Sequence, residues 1–292
     1  MELDTMPPIM RVIEQKRLDL TPKGKRLADF VVSNPGKAVF MNVRELAETC
    51  HVSEATVVRF VGQLGYGGYS PFIQALRDLL DTELNLIDRL DLTDKRGPGA
   101  DRFQWVVFEE IDNLKQLLES MDLKKIDRVV EMLYLNPSVF VVGSRLSYTL
   151  AYYLGWSLTK IRTNALTLKG SDSTTLDTLT FAPENSLVVA IATTRYPNDL
   201  IRIGKFSKRL NHRLVVLTDS PACPLIPFAD ESLVAPLKNI PFIGSPTAIG
   251  CLINFIIQEL AAKKGPSLKP HQRRLEKTYR ENDVLFNMKV ET

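Results

Sequence analysis

Beyond residue 127 the chain alternates short apolar runs with stretches of helical spacing. No other feature limits the available folds as much. Val139–Val142 and Leu187–Ala192 contain no polar residue, and Leu214–Thr218 is nearly as apolar; Glu231–Val234 is a weaker fourth run. A strand with one wet face alternates polar and apolar residues, whereas an uninterrupted apolar strand is buried on both faces. Such strands, separated by helices, imply a parallel sheet covered by helices on both sides. Ser245 to Lys263 reads as the last helix. Residues 264–292 read as a tail, basic because Lys263 to Thr292 holds eight Lys/Arg against four Asp/Glu.

Before residue 81 the spacing is helical throughout. Thr21-Pro22 is an N-cap followed by proline at the first helical position. Leu27, Phe30 and Val31 then share one face, and Ser33-Asn34-Pro35-Gly36 ends the helix. A short helix over 43–48, a turn at Cys50-His51-Val52, a helix capped by Ser53 and running to Leu64, and a helix from Phe72 to Leu80 follow. Ile9 to Leu18 fits no element firmly. The chain is thus expected to be α/β overall, an all-α domain followed by a parallel sheet covered by helices.

The 292 residues exceed what one core commonly supports. Expected boundaries are 5–81 for the helical domain, 82–127 for a helical connector, 128–264 for the sheet domain and 265–292 for the tail. Asp94 to Gly99 is the expected hinge, and Phe103 to Leu118 a long amphipathic helix. Three scattered cysteines and three scattered histidines give neither a disulfide framework nor a metal site, and no cofactor is implied. The apolar runs are too short to span a bilayer, and the start lacks a signal-peptide pattern, so no membrane partner and a cytoplasmic location are expected. Net charge is +3, too mild to argue nucleic-acid binding by itself.

Val43 to Gly65 has the layout of a helix-turn-helix: two short helices, a three-residue turn, and small or apolar residues (Leu46, Ala47, Val52, Val57, Val58, Leu64) where the helices cross. The second helix would then present Glu54, Ala55, Thr56, Arg59 and Gln63. Residues near the start of a recognition helix reach base edges. Thr56 suits a phosphate or a thymine methyl, and Arg59 suits guanine or a phosphate. Ser53 opens that helix, while Lys23, Lys25, Arg44 and Tyr69 are candidates for contacts to the DNA backbone. Spacing alone leaves an ordinary three-helix bundle equally open. The run Ser53-Glu-Ala-Thr-Val-Val-Arg-Phe60 and the segment Leu64-Gly-Tyr-Gly-Gly-Tyr69 resemble the N-terminal domain of the RpiR family of bacterial regulators over about residues 10–80. That resemblance implies a double-stranded DNA operator as partner.

Two further turns carry hydroxyls. The first apolar strand ends at Gly143-Ser144-Arg145-Leu146-Ser147, and the Leu187–Ala192 strand ends at Thr193-Thr194-Arg195-Tyr196. Ligands of open parallel sheets bind at the carboxyl ends of strands, and a helix N-terminus there suits an anion. Such hydroxyls are also common N-caps. Residues 128–264 are similar to a sugar isomerase (SIS) domain, which RpiR-type regulators carry at the C-terminus, and the likeness implies a flavodoxin-like parallel sheet. The likeness implies a small-molecule effector, phosphosugar-like, with Gly143, Ser144, Ser147, Thr193 and Thr194 at its phosphate. The usual Ser-x-Ser-Gly-x-Thr loop is replaced by Thr193-Thr-Arg-Tyr-Pro-Asn198, a variation similar to an RpiR subgroup with an Arg-Tyr pair. Arg195 and Tyr196 then become candidates for binding a different anion. Ser245 is a further ligand candidate or a plain N-cap, and Ser171-Asp172 is a turn or a contact to sugar hydroxyls. The competing readings are an aldose–ketose phosphate isomerase and an interaction module with a degenerate pocket. An isomerase needs a positioned base, and none stands out: His51 lies in the DNA-reading unit, His212 is expected at the surface and His271 in the tail. Paired reading heads imply a homodimer or homotetramer.

Overall fold

The computed structural model describes residues 8–39, 41–83, 99–193, 195–236 and 244–286. They fall into two compact units, divided between residues 97 and 98. The hinge expected at Asp94 to Gly99 lies outside the described residues except for Gly99, which opens a helix.

The first unit is helical: α1 Pro8–Lys16, α2 Pro22–Ser33, α3 Pro35–Ala38, α4 Val43–Thr49, α5 Glu54–Gln63 and α6 Tyr69–Glu83. Side-chain caps set its helix starts. The Thr21 hydroxyl accepts the Gly24 N–H. Asn42 and Glu45 form a reciprocal capping box at α4, with bonds of 2.9 and 2.8 Å. Ser53 caps α5. Ile9 and Ile13 of α1 are buried with Leu27, Val31, Leu46, Val57, Phe60 and Phe72. Phe72 meets Phe60 and Tyr66 edge to face, centroids 5.9 and 5.7 Å apart.

The second unit is built on five parallel strands: β1 Val139–Gly143, β2 Ala165–Lys169, β3 Leu187–Ala192, β4 Arg213–Thr218 and β5 Glu231–Val234, in the order β2-β1-β3-β4-β5. This is the flavodoxin-like order, and the direction of winding reverses between β1 and β3. Val139 and Val141 join a core with α8 (Leu123–Leu135), α9 (Ser147–Leu158) and α12 (Thr247–Lys264); Phe140 and Val142 join the opposite core with α10 (Ser173–Thr180) and α11 (Asn198–Arg209). Leu117 of α7 (Gly99–Ser120) and Ile126 of α8 lie in the first of these cores. The second half of the expected connector therefore packs into the sheet unit.

Three expectations change. No strand is expected over 165–169 from the apolar runs. β2 is an edge strand, and Leu166 is half exposed, so it never needed an uninterrupted apolar run. The tail is not featureless: Lys269–Glu281 is a helix, α13, tied to the end of α9 by His271 Nε2 to the Thr159 carbonyl at 2.9 Å and Lys160 Nζ to the Tyr279 hydroxyl at 2.6 Å. His212 is buried, with Nε2 2.9 Å from the Leu179 carbonyl, instead of lying at the surface.

Gly143 shows how tightly α9 seats on β1. A Cβ there would lie 2.5 Å from the Ser147 carbonyl oxygen and 2.8 Å from the Ala151 Cβ. Gly143→Ala is expected to destabilise the protein by about 2 kcal/mol through overpacking, read as a lower urea midpoint. An unchanged midpoint would show that α9 yields freely.

Candidate functional site

In the first unit α5 follows α4 across the turn at Cys50-His51-Val52, buries one face and leaves the other exposed. Ser53 Oγ accepts the Thr56 N–H at 3.3 Å and sits 2.9 Å from Thr56 Oγ1. Thr56 is buried, against its expected place on the outer face. It shares the stripe of Val57, Phe60 and Val61, which helical spacing turns to the core. The outer face is instead Glu54, Ala55, Val58, Arg59 and Gln63, and Val58 is exposed where a helix crossing was expected. Arg59 Nε donates to the Ala55 carbonyl at 3.2 Å, which lays the guanidinium along α5.

Arg59, Gln63, Ser53 and Thr56 line a groove of about 510 Å³ with Thr21, Lys23 and Gly24 from the start of α2. The fold thus brings Lys23, a helix N-terminus and the recognition-helix residues to one place. A helix start with a lysine favours a phosphate. Lys25 is exposed outside that lining. Arg44 is exposed and bridges Glu48 at 2.9 Å. Tyr69, expected on the DNA backbone, is half-buried and donates its hydroxyl to the Met41 carbonyl at 2.9 Å. Burial foremost, then the nearby Glu45 carboxylate, pushes its pKa well above the ordinary tyrosine value. Its hydroxyl ties α6 to the segment before α4.

In the second unit the two hydroxyl turns follow β1 and β3, which are neighbours in register from Val139↔Leu187 to Gly143↔Ile191. They stand at the carboxyl edge where strand order reverses, the usual crevice for ligands of such sheets. Ser144 and Ser147 are buried. Ser147 Oγ donates to the Ser144 carbonyl at 2.8 Å and accepts the Ser144 N–H at 3.3 Å, so it closes its own turn. Ser144 Oγ reaches across to α11 and donates to Asp199 Oδ2 at 2.7 Å. Thr193, directly after β3, is half-buried; Thr194 lies outside the described residues. Arg145 and Arg195, one in each turn, are exposed and adopt left-handed backbone, φ 53° and 60°. Such conformations are disfavoured for side-chain-bearing residues and cluster at functional turns.

Tyr196, expected as a ligand contact, packs against the core beside α11 and donates its hydroxyl to Asp219 Oδ1 at 3.0 Å. Burial foremost, then the Asp219 charge, drives its pKa far upward. It anchors the second turn to the end of β4. Ser245 accepts the Thr247 N–H at 3.2 Å ahead of α12. Asp172 caps α10, and Ser171 accepts from Arg202 at 3.3 Å. Asp199 is not among the residues expected from the sequence. Its only sequence signal is an acid in the first turn of a helix, which the helix dipole explains without any ligand. Among the described residues, no cluster of three His, Cys, Asp or Glu could hold a metal, and no helix is long and apolar enough to cross a membrane.

Residues 8–83 match the family described as "Helix-turn-helix domain, rpiR family", and residues 132–257 match the SIS domain. The chain belongs to the RpiR family. Its relatives include an uncharacterised helix-turn-helix-type transcriptional regulator of Providencia stuartii, 28% identical over 72% of this chain and 75% of that one. The transcriptional regulator HexR of Pseudomonas aeruginosa is 24% identical over 90% and 93%. Among solved structures, the sugar isomerase domain of an RpiR transcription factor from Sphaerobacter thermophilus aligns with TM-score 0.57 at 25% identity, over 59% of this chain and 97% of that one. The Vibrio vulnificus NanR protein complexed with ManNAc-6P shares the fold with TM-score 0.55 at 20% identity, over 96% and 100%.

The Tyr196–Asp219 bond gives this RpiR-family chain a stability test. Tyr196→Phe removes a donor from a buried carboxylate and is expected to cost about 1–2 kcal/mol, read as a lower melting temperature. A melting temperature equal to that of the unaltered protein would mean Asp219 does not depend on Tyr196.

Proposed function

We propose that this RpiR-family regulator binds a double-stranded DNA operator through α5 and changes its operator affinity when the sheet-edge pocket takes a phosphosugar or related anion. The observation that carries the effector half is the meeting of the Ser144 and Thr193 turns on adjacent strands at the reversal of strand order. Two helix N-termini and buried hydroxyls there form a setting for an anionic ligand. NanR, which shares the fold, was solved with a phosphorylated amino sugar. The DNA half rests on the groove that joins Arg59 and Gln63 to Lys23.

A regulator without catalysis fits the site better than an isomerase. His212 precedes β4 at the amino end of the sheet, and His271 is bonded to the Thr159 carbonyl. Neither lies at the carboxyl edge. Both oxygens of Asp199 accept hydrogen bonds, from Ser144 and from the Leu200 N–H. The protein works as a homodimer or a homotetramer. Phe103 and Phe108 on α7 and Tyr152 and Trp156 on α9 expose the apolar surface that subunit contacts cover. The effector shifts the balance between two domain placements, which requires different affinity for each.

The test is operator binding by the full chain at fixed salt, on DNA selected by the chain itself, with a panel of hexose, hexosamine and N-acetylhexosamine phosphates. At least one is expected to change affinity by about fivefold or more. Silence across the panel would sink the effector assignment. Arg59→Ala is expected to weaken operator binding at least about tenfold with an unchanged melting temperature. Ser144→Ala with Thr193→Ala is expected to keep operator binding and lose the metabolite response. A response that survives would move the pocket elsewhere.

A further inference from the structure

We propose that Asp199 sets the specificity of the sheet-edge site, holding an anion's place so that free phosphate is rejected and a hydroxyl-bearing phosphate ester is accepted. The inference rests on the Ser144 and Thr193 turns being the effector site.

Asp199 lies in the first turn of α11, just past the second hydroxyl turn. Its Oδ1 accepts the Leu200 N–H at 2.8 Å, and its Oδ2 accepts the Ser144 hydroxyl at 2.7 Å. The first bond is ordinary for an acid at a helix start. The second is not explained that way, because it crosses from α11 to the loop after β1. The loop after β2 is shaped around the same oxygen. Gly170 has φ +64°, and a Cβ on it would lie 2.6 Å from Asp199 Oδ2. Its N–H donates to the Gly143 carbonyl at 2.8 Å, which holds that loop against the first turn. Three strand ends therefore converge on one carboxylate, where the sheet would otherwise present a hydroxyl and two helix N-termini to an anion.

The consequence is selective. Any phosphate that takes the Ser144 hydroxyl must come within a few ångströms of the carboxylate, and like charges so placed repel strongly. Inorganic phosphate can set against that repulsion only its own P–OH protons, carried on the same small ion that must fill the turn, whereas an ester's hydroxyls lie on a separate part of the molecule. A polyol phosphate can donate its own hydroxyls to Asp199 in place of Ser144, leaving the carboxylate satisfied while the phosphoryl group takes the turn. Asp199 thus reads the sugar and screens out the commonest free anion.

The experiment is calorimetric titration of the full chain with inorganic phosphate at constant ionic strength. Asp199→Asn keeps the size and one acceptor oxygen but removes the charge. Phosphate affinity is expected to rise at least about tenfold over the unaltered protein, and Ser144→Ala in the Asp199→Asn background is expected to cancel the gain. Asp199→Ser, a smaller uncharged side chain, is expected to gain in the same direction, which guards against a folding defect peculiar to one variant. Equal or weaker phosphate binding in both variants, or none by any form, overturns the inference. Tighter phosphate binding with no operator response to any sugar phosphate leaves Asp199's role standing and sinks the effector reading; an operator response with unchanged phosphate affinity does the reverse.

Discussion

The reversal of strand order between β1 and β3 governs the rest of the second unit. β1 continues through α9 to β2 on one side, and β3 continues through α11 to β4 on the other. The two helices therefore leave the sheet toward opposite faces, and each packs into a different core. Their N-termini stay close together at the carboxyl edge, because β1 and β3 remain paired to their ends.

That geometry creates an electrostatic demand as well as a crevice. Helix N-termini carry partial positive charge, and buried hydroxyls need partners. The chain meets the demand internally. Ser147 folds onto its own turn, Ser144 is held by Asp199, and Tyr196 ties the second turn to Asp219. On the proposed reading, a site already satisfied in this way answers only to a ligand that replaces those bonds.

The first unit solves a different problem. It positions α5 firmly without strong net charge: residues 1–80 carry ten Lys/Arg and nine Asp/Glu. Placement takes over from quantity. The caps at Thr21, Asn42 and Ser53 set where three helices begin. The start of α2 and its Lys23 then stand beside Arg59 and Gln63. The same capping bond turns Thr56 inward, because a hydroxyl that pairs with Ser53 lies on the buried stripe of α5.

The residues by themselves determined the element types and their order. Uninterrupted apolar runs at 139–142 and 187–192 admit only strands buried on both faces, and the caps at Thr21 and Ser53 are local chemistry that needs no partner from far along the chain. The wording of Ser53 to Phe60 also carried the family. What stayed hidden depends on contacts between distant residues. β2 needed the sheet, since an edge strand buries one side only and leaves a weak pattern. Tyr69 and Tyr196 are polar residues that look free in sequence and find their partners, the Met41 carbonyl and Asp219, only when distant segments meet. Asp199 is the clearest case. Along the chain it is an acid at a helix start. Only the folded sheet brings it 2.7 Å from a serine fifty-five residues away, because strand order, not sequence distance, sets which loops share the edge.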